Sequence, residues 1–118
     1  MRKLAVLIAL AATPAAASGI EIDVVGAHTS GTIAIDLFED TAPGHVAQIT
    51  ALAAEGFYDN VYFHRVIDGF MAQTGDGQHG KLGGALRRAG TGSSNLPNLK
   101  AEFSERPFAR GIVGMARS

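Results

Sequence analysis

Cysteine is absent from this chain of 118 residues, which excludes disulfides, thiolate nucleophiles, zinc–cysteine sites and a lipoprotein anchor. No long hydrophobic run is present either. The most apolar stretch, Leu4 to Ala12, falls well short of the roughly twenty residues that a membrane-spanning helix needs. Charge of one sign is lacking as well: ten Lys/Arg face eleven Asp/Glu, for a formal net charge of −1. Without Arg2 and Lys3 the remaining eight basic side chains face eleven acidic ones, net −3. A weakly acidic chain does not suit nucleic acid, because neutralising phosphates takes clustered Lys and Arg. The pair Arg87-Arg88 reads as a solvated loop.

Glycine, by contrast, is plentiful at fifteen residues, and so many in a short chain favour turn-rich β architecture over a helical bundle. Apolar residues make up 47%, as in ordinary globular proteins. The length allows one modest domain. Its first residues have the layout of an export signal: basic Arg2-Lys3, the apolar run from Leu4, and the small residues Ala15-Ala16-Ala17. We therefore expect a signal peptide over 1–17, cleaved after Ala17, and one domain over 18–118. The expected location is the bacterial periplasm or the medium, with no membrane association after cleavage. The bacterial part of that expectation rests on the overall look of the chain.

Ile20, Ile22 and Val24 alternate with Glu21 and Asp23, the period of a half-buried strand. After the turn residues His28 to Gly31, Ile33, Ile35 and Leu37 repeat the alternation, which predicts an antiparallel hairpin. Thr41 suits a helix N-cap and Pro43 the first helical turn. Val46, Ile49, Leu52 and Ala53 then share one face, and Gly56 with Phe57 suits a left-handed C-terminal cap. Such a helix should cover one side or end of a sheet. Further strands are expected over Tyr62–Ile67, Met71–Thr74, Lys100–Phe103 and Gly111–Met115. A long surface loop should occupy Gly75 to Asn98. Within it, Gly75 to Lys81 imitates a phosphate loop. However, Leu82 stands where Ser or Thr must hold magnesium, and Gly83-Gly84 opposes the helix such a loop requires. His28, His45 and His79 show no ligand spacing, so no metal site is expected.

The segment Phe63-His64-Arg65-Val66-Ile67-Asp68-Gly69-Phe70-Met71-Ala72-Gln73-Thr74-Gly75-Asp76 carries most of the information. It places one permanent cation, two bulky apolar side chains and an amide within nine residues, Arg65 to Gln73. Sharp turns at its glycines could bring them together around an apolar ring and a peptide beside it. On a strand, Phe63, Arg65 and Ile67 share one face, and Met71 shares one with Gln73. His64 falls on the face opposite Arg65, which argues against a general-base role. On these residues alone, Arg65 could equally pair with Asp68 or Asp59, and Phe70 and Met71 could be core.

The segment closely resembles the signature of the cyclophilins, peptidyl-prolyl cis-trans isomerases, and departs from it at Thr74, where the family usually has glycine. Ala42-Pro43 with Val46, and Gly111-Ile112-Val113-Gly114-Met115-Ala116-Arg117, resemble further family blocks. The resemblance implies a mainly β fold, a closed antiparallel β-barrel flanked by helices, and isomerisation of Xaa-Pro bonds without a cofactor. It implies Arg65 as the catalytic arginine, with Phe70 and Met71 lining the proline pocket and Gln73 bonding the substrate backbone. Gly83, Ala116 and Arg117 would lie along the peptide groove, Ala116 and Arg117 on a strand edge. Implied partners are proline-containing polypeptides, among them exported proteins during folding, and cyclosporin-like ligands; the protein would be a monomer.

The resemblance runs from about Ile20 to the last residue. The later strands, second helix and remaining pocket residues of the family domain are not in this sequence, and neither is any tryptophan. A barrel deprived of strands exposes edges and core. The expectation is therefore a fragment of an active enzyme that folds poorly by itself. Two alternatives stand beside it: a module that binds proline segments without turning them over, and an inactive product.

Overall fold

The computed structural model describes residues 18–117. The expected signal peptide, 1–17, lies outside them. The chain first forms a hairpin of β1 (Gly19–Val25) and β2 (Ser30–Asp36), antiparallel from Gly19 opposite Asp36 to Val25 opposite Ser30. In β1 the anticipated alternation is present, with Ile20, Ile22 and Val24 half-buried while Glu21 and Asp23 face water; in β2 it is incomplete, since Ile35 is half-buried but Ile33 is exposed. Thr32 and Asp23 are directly opposite, and the threonine hydroxyl donates to the carboxylate at 2.8 Å. A cross-strand pair of this kind helps hold the register.

Helix α1 (Pro43–Ala54) begins with its proline in the first turn, as the sequence requires. Val46 and Leu52 are its buried residues and Ile49 is half-buried. At its end the N–H of Gly56 donates to Ala53 O and that of Phe57 to Leu52 O, at 3.1 and 3.0 Å. This double closure requires a left-handed residue, and Gly56 supplies it with φ 77°. The start differs from expectation. Ala42, not Thr41, is the N-cap, and no side chain of the flanking residue caps the helix. The Thr41 hydroxyl instead accepts from Arg106 Nε at 2.9 Å. Glu102 takes over the capping, accepting from Gly44 N at 3.2 Å and His45 N at 2.8 Å. Its carboxylate thereby meets the donor-rich end of the helix.

A second hairpin follows, β3 (Arg65–Ile67) and β4 (Met71–Gln73), and a short 3₁₀ turn over Leu86–Arg88 lies in the loop beyond it. Residues 60–62 run beside 80–82, with Tyr62 N donating to Gly80 O at 2.8 Å and Leu82 N to Asn60 O at 2.9 Å.

Among the described residues the architecture is mainly β with a single α-helix, and it departs from expectation in three ways. The four described strands pair two by two and do not close a barrel; closure requires one continuous ladder back to the first strand. Lys100–Phe103 and Gly111–Met115 form no strands, because neither lies against a ladder that could take up its N–H and C=O groups. Finally, α1 makes no extended contact with either sheet. Its N-terminus is tied to the Glu102–Arg106 segment. There Arg106 lies 4.0 Å over the Phe38 ring and 3.8 Å from the Asp40 carboxylate. The apolar core is correspondingly small, with Val46 and Leu52 the buried hydrophobic residues among those described.

Candidate functional site

The second hairpin assembles the residues of most chemical interest. Its turn is closed by Phe70 N donating to Ile67 O at 3.1 Å, and Gly69 takes φ 71° at the third turn position. A type II turn demands that angle there, and a β-branched residue would resist it. The turn fixes the register: Arg65 stands opposite Gln73, and Ile67 opposite Met71. Residues directly opposite in an antiparallel pair project from the same face, with Cβ atoms about 4.5–5.5 Å apart. One face of the hairpin therefore carries a guanidinium beside an amide, and two apolar side chains next to them. Arg65 is exposed, while Gln73 and Met71 are half-buried. Arg65 makes no ion pair with Asp59 or Asp68, so its five donors remain directed at solvent or a ligand.

The other sequence candidates are placed differently. Phe70 sits in the turn, 74% exposed, and does not join Met71 in a pocket wall. Gly83 is exposed in a turn closed by Gly84 N donating to Lys81 O at 2.8 Å. Ala116 and Arg117 are exposed and outside any strand, so they provide no strand edge. Two surface depressions, of ≈ 470 and ≈ 360 Å³, lie elsewhere. Phe57, Asp59, Gln78, Lys81 and Ser93 line the larger, and Pro43, Val46 and Thr50 the smaller. Neither includes Arg65, Phe70, Met71 or Gln73. His64 precedes β3, and its Nδ1 is buried without a hydrogen-bond partner among the described residues. Among the described residues no group of three His, Asp or Glu could hold a metal ion.

Asp76 is the structural residue that sequence reasoning passed over. Asp76 is 9% exposed, and its carboxylate gathers four backbone donors. Gln78 N and His79 N bond Oδ1 at 3.0 and 2.8 Å, and Gly90 N and Gly92 N bond Oδ2 at 2.7 and 3.0 Å. Burial alone would raise this carboxyl, but the N–H groups of His79, Gly92, Gly90 and Gln78 outweigh it and lower it to about 2. One ionised side chain, three residues beyond Gln73, thus organises the loop from Gly77 to Gly92. The bonds to the second and third following residues are local, of the kind Asp forms in turns, and could have been anticipated. Those to Gly90 and Gly92 could not. Glu102 is a second such residue, its Oε1 2.6 Å from His45 Nδ1. Burial would raise it too, and the His45 imidazole with the His45 and Gly44 N–H groups holds it below the usual carboxylate range.

Thr74, the departure from the family pattern, causes no turn strain. It keeps a negative φ while Gly75 carries the positive angle. Its hydroxyl donates to Tyr62 O at 2.9 Å.

Comparison with known proteins agrees with the sequence resemblance. The profile of the family described as "Cyclophilin type peptidyl-prolyl cis-trans isomerase/CLD" matches residues 22–118. A Brucella suis protein named "Probable peptidyl-prolyl cis-trans isomerase" is 59% identical over 90 residues, covering 75% of this chain and 46% of that protein. Proteins named "Peptidyl-prolyl cis-trans isomerase" from Helicobacter pylori and Synechococcus elongatus are 39% and 36% identical over 90 and 88 residues. Each alignment covers 75% of this chain, and respectively 49% and 54% of the relative. The chain therefore spans about half the length of the curated relatives it matches. No solved structure matches.

Proposed function

The chain belongs to the cyclophilin-type peptidyl-prolyl cis-trans isomerase family, and from that premise we propose that the Arg65–Gln73 face is the part of an Xaa-Pro isomerase site that this chain contributes. The observation that carries the proposal is the register of the second hairpin, which places Arg65 opposite Gln73 and Ile67 opposite Met71.

Rotation about a peptide bond faces a barrier of about 18–20 kcal/mol, because partial double-bond character must be lost. At the twisted geometry the proline nitrogen becomes pyramidal and gains a lone pair that the planar ground state lacks. A donor aimed at that nitrogen binds the twisted state more tightly than either planar form, which is the condition for acceleration. Arg65 supplies a donor whose charge persists at every working pH. Gln73, directly across the ladder, holds the neighbouring substrate amide so that the guanidinium meets the correct nitrogen. Met71 and Ile67 offer apolar surface to the proline ring. An acceleration on the order of 10⁵ corresponds to about 7 kcal/mol, within reach of one charged donor in a dry, shaped pocket. No proton moves and no covalent intermediate forms.

In the whole protein, a closed barrel would bring Phe70 and the Gly83 turn toward this face and align Ala116 and Arg117 as an edge for the substrate backbone. Substrates are proline-containing polypeptides, with cyclosporin-like ligands competing for the same face. An export signal over 1–17 would direct the protein to the periplasm or the medium, with exported chains as clients.

The exposed Phe70, and the absence of Arg65 from the lining of both described depressions, favour a second reading, in which the chain holds proline segments without turning them over. Exchange between cis and trans Ala-Pro peptide, followed by NMR with the purified chain and its Arg65→Ala variant, separates the two. Enhancement that vanishes in the variant supports the isomerase. Line broadening of the peptide in both proteins without exchange enhancement supports the binding module.

A further inference from the structure

The hairpin that carries Arg65 and Gln73 is short. Its ladder has three residue pairs, the Ile67–Phe70 turn closes one end, and beyond the Arg65–Gln73 pair the ladder stops. Strand ends without further pairing fray, and here the fraying end bears both polar groups of the site. The structure carries one cross-tie just past that end, the hydroxyl of Thr74 donating to the carbonyl of Tyr62 at 2.9 Å. Thr74 directly follows Gln73, and Tyr62 lies three residues before Arg65.

Tyr62 is itself anchored. Its N–H donates to Gly80 O at 2.8 Å, and Gly80 N donates to Asp76 O at 3.0 Å. Asp76 lies two residues beyond Thr74. The chain of bonds from Thr74 to Tyr62, Gly80 and Asp76 thus forms a closed circuit through the loop that the Asp76 carboxylate organises. By strand parity Thr74 projects from the face opposite Gln73, away from the proposed substrate face.

We propose that Thr74 is a positioning residue, whose hydroxyl clamps the open end of the β3–β4 hairpin so that Arg65 and Gln73 keep their cross-strand spacing during isomerisation. The proposal deepens the isomerase reading and rests on it for its kinetic part. The circuit itself rests only on the hydrogen bonds above. Serine can supply the same bond; valine keeps the shape and the β-branched backbone preference without it, and glycine supplies neither.

The test compares Thr74→Val and Thr74→Ser in the full chain by two readouts. The first is amide hydrogen exchange at residues 65–67 and 71–73. One hydrogen bond of modest net strength should alter local opening by about 3- to 10-fold, so exchange should accelerate by that factor in Thr74→Val and stay near wild type in Thr74→Ser. The second is isomerisation kinetics. Loosening the guanidinium should lower kcat by a similar factor with KM little changed, and serine should restore it. A residue that merely supports folding would lower the folded fraction without this kcat–KM split in the folded protein.

Exchange at 65–67 and 71–73 that is unaltered in Thr74→Val, or slowed kcat that serine fails to restore, overturns the clamp. If the wild-type chain accelerates no isomerisation, the isomerase reading is what fails, and the exchange comparison alone decides whether Thr74 closes the hairpin.

Discussion

Replacing Asp76 by asparagine should destabilise the protein at neutral pH, by an amount that shrinks in acid. The carboxylate accepts from four backbone N–H groups, and these bring its pKa from 3.8 to about 2. A folded-state pKa below the unfolded value contributes stability that is fully present above the unfolded pKa and is lost as pH falls through the folded one. The window therefore runs from about pH 5 down to about pH 2. A depression of this size corresponds to roughly 2 kcal/mol, and screening by nearby water in so small a core reduces it to on the order of 1–2 kcal/mol. Asparagine also turns an NH₂ group toward donors that need acceptors, and each N–H left unpaired costs about 1–3 kcal/mol. Together the loss at pH 7 should be about 2–4 kcal/mol, a large share of the ~5–15 kcal/mol typical of small domains. Urea unfolding at pH 7 should show a midpoint lower by about 1 M or more, given slopes of about 1–3 kcal/mol/M. At pH 3 the gap between wild type and variant should be smaller. Equal midpoints at pH 7, or a gap that persists unchanged into acid, would refute the assignment of Asp76 as the organiser of the loop. Should Asp76→Asn fail to fold, Gly92→Ala provides a second probe. A Cβ there would run into the Asp76 carboxylate, so the loop should loosen and the amide of Gly90 exchange faster.

Other consequences are more local. Leu52 is 3% exposed, and Leu52→Ala should cost about 2–5 kcal/mol by chemical denaturation; a loss below about 1 kcal/mol would show that the helix buries nothing of consequence. Glu102→Ala should speed exchange at the amides of Gly44 and His45, which the carboxylate caps, and lower helicity by circular dichroism. In wild type the same capping should weaken as acid protonates Glu102, below its usual titration range, because its pKa is held down. Gln73→Leu should weaken peptide binding while leaving residual catalysis by Arg65, raising KM more than it lowers kcat; a pure kcat loss would move Gln73 out of the binding role. Gly69→Val should disturb the turn that sets the register, and the cross-strand nuclear Overhauser contacts between Arg65 and Gln73 should weaken.

Much of this was legible in the chain because it depends on neighbours in sequence. The alternation of Ile20, Ile22 and Val24 marks a strand wherever its partner lies. Gly56 announces a helix end because only a residue free of Cβ strain adopts its backbone angle at little cost. The run from Phe63 to Asp76 identified the family by residue type and spacing, and Arg65, Met71 and Gln73 could be named from it. The tertiary structure decided which groups meet. Whether the Arg65 face and the Gln73 face coincide depends on a register that shifts every side chain to the other side if it slips by one residue. The turn at Asp68-Gly69 settled it. Glu102 capping a helix 57 residues away, and Asp76 collecting the amides of Gly90 and Gly92, left no local pattern, because hydrogen-bond donors on a backbone look alike in every sequence. Barrel closure was not found among the described strands, and the strands expected at Lys100–Phe103 and Gly111–Met115 did not form, for a related reason. A strand is stable through its partner, and apolar spacing alone names a candidate for pairing without supplying the ladder that receives it.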